Sequence, residues 1–324
     1  MDEDYQVIIV GCGPAGLAAG LYASRGGLSV LLLGDEAAGG GMRSIWQVEN
    51  YPGFPDGVSG AKLGLDMMKQ AMKFGLQFKL ARVEGIEPHD EYKAVRATLI
   101  RGGDVAYRAS TVILAGGASP VKLGVAGESE FLGKGVSYCG VCDAPQFKDR
   151  VVVVAGGGDS GLSEALYLSR LVSEIIVVEI MPHVMATKIL HDRALADPKI
   201  QIRCGTRLEA IRGDDQVREV ELVNALTGAR TTLPVGGVLV RIGLEPNTGY
   251  LKGLVSLDDK GYVLVDERLE TSVPGIFAAG DTRHGSDRQI ATAVGDGVTA
   301  ALSAHKMCSL VWSSNASRPA GIDA

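Results

Sequence analysis

Two cysteines separated by two residues, Cys139-Gly140-Val141-Cys142, are followed at once by an acid, Asp143. Thiols at this spacing can close a disulfide across one helical turn, and a pair that opens and closes reversibly carries two electrons. A zinc site would need two further ligands at matching spacing. Cys12, Cys204 and Cys308 stand singly, and the nearest histidines in the chain, His89 and His183, are remote from the pair. No metal is expected. Redox exchange is the expected chemistry, with an inert buried pair as the plainer alternative. Asp143 has the chemistry of a proton donor and acceptor, or of a helix cap. Cys12 falls where a turn needs a small side chain, so packing is expected of it, as of Cys204 and Cys308.

Two glycine-rich turns supply a second kind of chemistry: Gly11-Cys12-Gly13-Pro14-Ala15-Gly16 and Gly156-Gly157-Gly158-Asp159-Ser160-Gly161. In such a turn the first glycine makes the sharp bend and the second lets backbone approach a pyrophosphate. The third allows close helix–strand packing, and the helix N-terminal N–H groups face the phosphate charge. One turn alone is weak evidence. Here each follows an apolar strand (6–10 and 151–155), opens a helix (14–25 and 162–171) and precedes a second strand (28–33 and 174–178). Acids stand beyond those strands, Asp35 and Glu36 in the first case and Glu179 in the second. Two dinucleotide sites in two domains are therefore expected. The turns begin 145 residues apart, at Gly11 and Gly156, so whole domains repeat rather than solenoid units.

The elements between these turns outline the architecture. Apolar runs at 111–115, before Gly116-Gly117, and at 275–279, before Gly280-Asp281, read as further strands; 201–239 reads as several short strands with turns at Gly213-Asp214 and Thr227-Gly228. The fold class expected is α/β, with two Rossmann-like dinucleotide-binding domains of the three-layer β/β/α type, the second inserted into the first. The outer domain is placed at 1–117 and 242–324 and the inner one, carrying the cysteines, at 118–241; 313–324 is expected to be a flexible tail. The first turn is assigned to FAD, with Gly280 and Asp281 completing that site, although Asp281 alone reads equally as a helix N-cap.

Glu179 ends the second strand of the inner unit, 21 residues after Gly158. A carboxylate there accepts hydrogen bonds from both ribose hydroxyls of NADH and repels a 2′-phosphate by about 3 kcal/mol at ~5 Å and an effective dielectric of ~20, before screening. No arginine lies in 180–187 to offset that repulsion. NADH is expected over NADPH, held by Gly156, Gly158, Asp159, Ser160, Gly161 and Glu179; a solvated strand end is the alternative for Glu179.

Composition narrows the class. Of 324 residues, 44 are glycine, about twice the usual share, as close-approach turns demand. A net charge of −6 and 5% aromatic residues argue against nucleic acid. No apolar run approaches a membrane span, and the acidic start Met1-Asp2-Glu3-Asp4 is unlike an export signal. A cytoplasmic protein without membrane or nucleic-acid partners is expected.

With these motifs in order, the chain resembles the low-molecular-weight thioredoxin reductase family, a class of FAD-dependent pyridine nucleotide-disulfide oxidoreductases, along nearly its whole length. The resemblance rests on 11–16, on Val48-Glu49-Asn50-Tyr51-Pro52-Gly53, on 139–143 and 156–160, and on Ala279-Gly280-Asp281 with Arg288-Gln289. It implies FAD held by Gly11, Gly13, Gly16, Glu36, Asn50, Asp281, Arg288 and Gln289, a set that Pro14, Ala15, Asp35, Gly40, Gly41, Gly116, Gly280 and Ile290 extend. It further implies that Cys142 faces the flavin, Cys139 attacks the disulfide of a thioredoxin-like partner, and Asp143 moves the proton. The family is homodimeric, and its inner domain rotates so that nicotinamide and disulfide take turns at the flavin.

Three stretches depart from the family pattern. Glu179-Ile180-Met181 stands where NADPH enzymes carry His-Arg-Arg, and in this resembles the NADH-using flavoprotein subunit of alkyl hydroperoxide reductase. Gly39-Gly40-Gly41-Met42 replaces Gly-Gly-Gln-Leu, so flavin contacts are expected to differ. Ala144-Pro145 follows Asp143 in place of glycine and an aromatic residue, which leaves a helix after the pair unsupported. Two other electron routes fit the residues less fully: ferredoxin as donor, against which the intact Gly156 turn counts, and a non-enzymatic flavin and thiol redox sensor. A ferredoxin–NADP reductase of similar fold fits poorly, because that group lacks the cysteine pair.

Overall fold

The computed structural model describes residues 3–316. Its elements in chain order are β1 (Glu3–Val10), α1 (Pro14–Arg25), β2 (Val30–Gly34), α2 (Gly60–Met72), β3 (Gln77–Pro88), β4 (Lys93–Leu99), β5 (Asp104–Leu114), β6 (Ala118–Pro120), β7 (Val136–Ser137), α3 (Ala144–Phe147), β8 (Val151–Ala155), α4 (Asp159–Leu168), β9 (Glu174–Glu179), α5 (Lys188–Ala196), β10 (Ile200–Cys204), β11 (Thr206–Gly213), β12 (Val217–Asn224), β13 (Arg230–Pro234), β14 (Gly237–Val240), β15 (Leu244–Pro246), β16 (Ile276–Ala278) and α6 (Ile290–Ala316), with 3-10 turns at Gly40–Ser44, Gly249–Leu251 and Gly280–Thr282.

The chain forms two units: residues up to Ser119 together with those from Glu245 on, and Pro120–Leu244. In the first, β1 pairs in parallel with β2 and β5, β2 with β3, and β5 with β16. The second half of β3 and the first half of β5 also pair antiparallel with β4, which belongs to the same six-stranded sheet. Strand alternation then fills two cores. Val7 and Ile9 of β1, with Val30, Leu32 and Ile113, pack against the small residues of α1 and α6; Ile8 and Val10, with Leu31, Leu33, Val112 and Leu114, pack against the β3–β4–β5 meander. Both faces are covered, which is why these strands read as unbroken apolar runs.

The second unit repeats the plan. Its parallel sheet has the order β10-β9-β8-β14-β7, and β11-β12-β13 form an antiparallel sheet. Val152 and Val154 of β8 meet Leu162, Ala165 and Leu168 of α4, while Val153 and Ala155 meet Leu208, Ile211, Val220 and Leu222 of the meander. The expected α/β class with two three-layer Rossmann-like units is thus observed. The chain passes between units at β6 and β15, which pair with each other.

Some boundaries differ from those read in the sequence. The helix expected over 162–171 runs from Asp159 to Leu168, so the glycine turn feeds straight into it. Asp159, Ser160 and Gly161 are weak helix formers, and the fold overrides that preference. The last helix runs to Ala316, so the tail expected from 313 is helical as far as that residue, and 317–324 lie outside the described residues. Ala144–Phe147 does form a helical turn. Pro145 sits in its first turn, where a missing N–H costs nothing.

Phe147, which ends that turn, is fully buried, and its ring lies 2.5 Å from where a Cβ on Gly237 would stand. Phe147→Ala is expected to lower stability by about 3–5 kcal/mol, read as an earlier midpoint in urea unfolding.

Candidate active site

The two glycine turns share one geometry at their three glycines. Gly11 has φ +108° and Gly156 φ +115°; a Cβ on either would fall 2.1 Å from a carbonyl oxygen, that of Ala115 or of Arg241. Gly16 and Gly161 each back onto the carbonyl of the first glycine, at 1.9 and 2.0 Å from the Cβ position. Gly13 and Gly158, by contrast, have nothing within 4 Å there. That open space lies at the start of a helix whose N-cap is glycine and offers no side-chain cap, in α1 and in α4 alike. Uncapped N–H groups beside empty space are what a pyrophosphate requires.

Around the first turn the structure gathers most of the positions named from the sequence. Gly39 N–H donates to the Cys12 carbonyl at 2.8 Å, and the Cβ position of Gly40 lies 3.1 Å from Gly13 Cα, which places the 3-10 turn holding Gly40 and Gly41 against the glycine turn. Gly280, at φ +73°, abuts Ala15. Gly116 follows β5, and its carbonyl accepts from Asn247 Nδ2 at 2.9 Å. Asn50 Nδ2 donates to Gln289 Oε1 at 3.0 Å, beside Ile290 at the start of α6. Arg288, at φ +55°, donates to the Tyr262 hydroxyl at 2.8 Å. Asp35 and Glu36 are taken up in ion pairs with Arg82 and Arg43 at 3.5 and 3.3 Å. Cys12 is buried and donates to the Glu36 carbonyl, and burial together with Glu36 and Asp35 pushes its thiol up.

Asp281 is not a helix cap, because α6 begins nine residues on. Its carboxylate accepts from Ser286 Oγ at 3.0 Å, and burial pushes its pKa up. A strained arginine and a partly buried acid beside an open glycine turn fit the ribityl and phosphate groups of FAD.

In the second unit Glu179 is buried. Its Oε2 accepts from Gly157 N–H at 2.7 Å and its Oε1 from Met181 N–H at 2.9 Å. The carboxylate is therefore fixed beside the turn, not loose at a strand end. Asp159 Oδ1 accepts from Thr187 N–H at 2.6 Å, tying the start of α4 to the start of α5. Ser160 is exposed.

Cys139 and Cys142 form a disulfide, with Cα atoms 5.3 Å apart. Cys142 N–H donates to Cys139 Sγ at 3.1 Å, and Asp143 N–H to the Cys139 carbonyl at 3.1 Å. Asp143 stands at the N-cap position of α3 without capping it; its Oδ2 accepts instead from Ser137 Oγ at 2.5 Å. The same hydroxyl accepts from Cys139 N–H at 2.9 Å. Tyr138 donates to Glu128 Oε1 at 2.6 Å, and burial and that carboxylate push the phenol up. Gly140 N–H donates to Glu164 Oε2 at 2.6 Å.

Sequence reasoning misses Ser137, Glu128, Glu164, Arg241 and Tyr262. Glu164 leaves a signal, an acid on the buried 161–165–168 face of α4 where the helical period calls for an apolar residue. The others are recognisable only through partners brought by the fold. Among the described residues no cluster of histidine, cysteine and carboxylate side chains could hold a metal ion.

The family described as pyridine nucleotide-disulphide oxidoreductase matches residues 5–297. A thioredoxin reductase of Listeria innocua is 42% identical over 306 residues, covering 94% of each chain. One of Treponema pallidum is 42% identical over 311 residues, 96% of this chain and 98% of its own. The solved thioredoxin reductase of Lactococcus lactis superposes with a TM-score of 0.91 at 36% identity, covering 94% of this chain and 99% of that one.

Gly13→Ala should leave stability within about 0.5 kcal/mol while lowering the flavin content of the purified protein, because its methyl enters only the open space. Gly16→Ala should reduce both, since no shift of a flexible side chain can relieve contact with a backbone carbonyl; thermal melts and the flavin absorption band separate the two. Asp281 gives a pH dependence. Its folded-state pKa lies above the unfolded one, so the ionised carboxylate opposes folding at neutral pH, and that cost fades as pH falls through the folded-state pKa. Flavin-free Asp281→Asn should melt a few degrees above the flavin-free parent at pH 7, with the gap closing in acid, and should bind flavin less well.

Proposed function

The chain belongs to the pyridine nucleotide-disulphide oxidoreductase family, in its low-molecular-weight thioredoxin reductase branch, and on that premise we propose that NADH is its electron donor and a thioredoxin-like protein disulfide its acceptor. It is a flavin-dependent disulfide reductase. The observation that carries the reading is the Cys139–Cys142 disulfide on the same unit as the uncapped Gly156 turn. FAD, when bound, relays two electrons between a nicotinamide and a disulfide.

Gly11, Gly13, Pro14, Ala15 and Gly16 receive the FAD pyrophosphate in this reading. Asp35, Glu36, Gly40, Gly41, Asn50, Gly116, Gly280, Asp281, Arg288, Gln289 and Ile290 hold the rest of the molecule. Gly156, Gly158, Asp159, Ser160 and Gly161 receive the nicotinamide nucleotide. Glu179 favours NADH: its carboxylate is held in place by two backbone amides, ready for ribose hydroxyls and adverse to a 2′-phosphate. The following residues Ile180, Met181 and Met185 are exposed and apolar, and Arg203 on the neighbouring strand donates to Gln201.

Cys139 is the thiol that attacks the partner. An N–H aimed at its sulfur favours the thiolate there over Cys142. Asp143, oriented by the Ser137 hydroxyl, gives and takes the proton. Exposed apolar side chains on α1, α2 and α6 (Tyr22, Leu65, Met72, Leu302) support a homodimer formed through the first unit. The cytoplasm, where NADH and reducible protein disulfides occur together, is the compartment that fits; no helix among the described residues is long and apolar enough to cross a membrane.

Stopped-flow reduction of the bound flavin by NADH and NADPH, side by side, tests the donor. NADH should be the better by roughly tenfold or more in kcat/KM, and Glu179→Gln should narrow the gap by improving NADPH. Equal rates with both would overturn the preference. Cys142→Ser should leave flavin reduction intact and abolish turnover with a thioredoxin.

A further inference from the structure

The second unit contains a buried ion pair to which the proposed electron route assigns no task. Glu164, on α4, and Arg241, one residue beyond β14, are joined by a salt bridge with both side chains 11% exposed. The other carboxylate oxygen of Glu164 accepts from Gly140 N–H, inside the Cys139–Cys142 loop. Gly140 is pressed so close that a Cβ there would lie 2.6 Å from that oxygen and 3.2 Å from Leu239. Arg241 is tied to the nucleotide turn through its backbone: its N–H donates to the Ala155 carbonyl at 2.7 Å, and its own carbonyl is the one against which Gly156 packs.

A bridge that serves stability alone usually has its polar atoms satisfied. This one does not, since Arg241 Nε is buried with no hydrogen-bond partner among the described residues. An ion pair with an orphaned N–H is no more stable than an apolar replacement of equal volume. Its place is explained instead by what it touches. Three acids accept from the segment 137–140: Asp143 from the Ser137 hydroxyl that also takes the Cys139 amide, Glu128 from Tyr138, and Glu164 from the Gly140 amide. Arg241 is the cation paired with the last of these.

We propose that Glu164 and Arg241 are positioning residues for the redox loop. Glu164 holds the Gly140 amide so that the Cys142 N–H stays on Cys139 Sγ once the disulfide is open, and Arg241 cancels the carboxylate's charge so that the thiolate forms beside it at neutral pH. The proposal rests on the reading of Cys139 as the attacking thiol. Its signature is a pair of opposed effects. Removing the carboxylate's charge while keeping an acceptor leaves the cation uncompensated and favours the thiolate; removing the cation does the reverse.

The test measures alkylation of Cys139 by iodoacetamide against pH, in reduced holoprotein carrying Cys142→Ser, with the Cys139 peptide read by mass. Glu164→Gln should raise the rate at pH 7 by roughly three- to tenfold, and Arg241→Met should lower it by a similar factor. The double variant, neutral at both positions, should return toward the parent rate. It should do so with the Gly140 amide still held, because the Glu164→Gln side chain keeps a carbonyl oxygen as acceptor. Shifts of both single variants in one direction, or no shift in either, would overturn the proposal, as would a double variant that fails to return. Where Arg241→Met does not fold, Glu164→Gln and the double variant decide by their difference. Reduction of the disulfide by NADH in the parent protein is followed separately, so a failure of the enzyme reading shows itself there and not in the alkylation rates.

Discussion

The structure depends on one kind of contact, the meeting of a glycine with the carbonyl that ends a neighbouring strand. At Gly11 and at Gly156 a Cβ would lie 2.1 Å from that oxygen, and at Gly16 and Gly161 no farther from the carbonyl of the first glycine. These approaches bring strand, turn and helix so near that the helix begins directly at the sheet edge. The middle glycine, with open space about it, is left facing outward. Substituting the crowded glycines breaks the frame; substituting the open ones blocks only what binds there. A comparable approach recurs at Gly140, where the obstacle is a carboxylate oxygen.

Acidic side chains do much of the remaining construction by accepting from backbone amides. Glu179 takes those of Gly157 and Met181, Glu128 those of Leu123 and Gly124, Asp159 that of Thr187, and Asp296 that of Gly280 while also pairing with Arg283. A loop that lies between strand and helix has amides no regular ladder satisfies. A carboxylate supplies two acceptors at a strength above that of a neutral group. The same device that shapes a loop also sets the field felt by whatever occupies it.

What is legible in the sequence follows from the range of the interactions. Apolar runs, glycine turns and a C-x-x-C pair are local patterns, and they suffice for the fold class and the family. Local preference places the start of α4 too late, because Asp159-Ser160-Gly161 has little helical tendency of its own, and only packing of Leu162, Ala165 and Leu168 on β8 carries the helix back to the turn. It cuts the last helix short for a related reason, since Ser313 and Ser314 carry no strong local instruction to continue. Glu164 and Arg241 are 77 residues apart, and Tyr262 and Arg288 are 26 apart. Contacts of that span have no signature in spacing: Glu164 shows as an acid on a buried helical face and Arg288 as part of a family motif, but neither sequence feature points to its partner. Ser137 escapes notice even at short range because a serine near a cysteine is common, and its role appears only when one hydroxyl is seen serving both Asp143 and the Cys139 amide.

The two sulfurs of the pair are held very unequally. Cys139 is anchored through its amide by Ser137, through its carbonyl by Asp143 N–H, and at its sulfur by Cys142 N–H, and it is partly buried. Cys142 is exposed. A disulfide presents two possible leaving groups, and reduction proceeds through the sulfur that better bears negative charge as it departs. The N–H already directed at Cys139 suits that sulfur to leave when, as proposed, Cys142 is the one attacked. In the proposed route Asp143, two hydrogen bonds away through Ser137, stands next to the released Cys139 sulfur. The asymmetry of the loop supports the proposed direction of exchange, with electrons entering by the exposed sulfur and leaving by the anchored one.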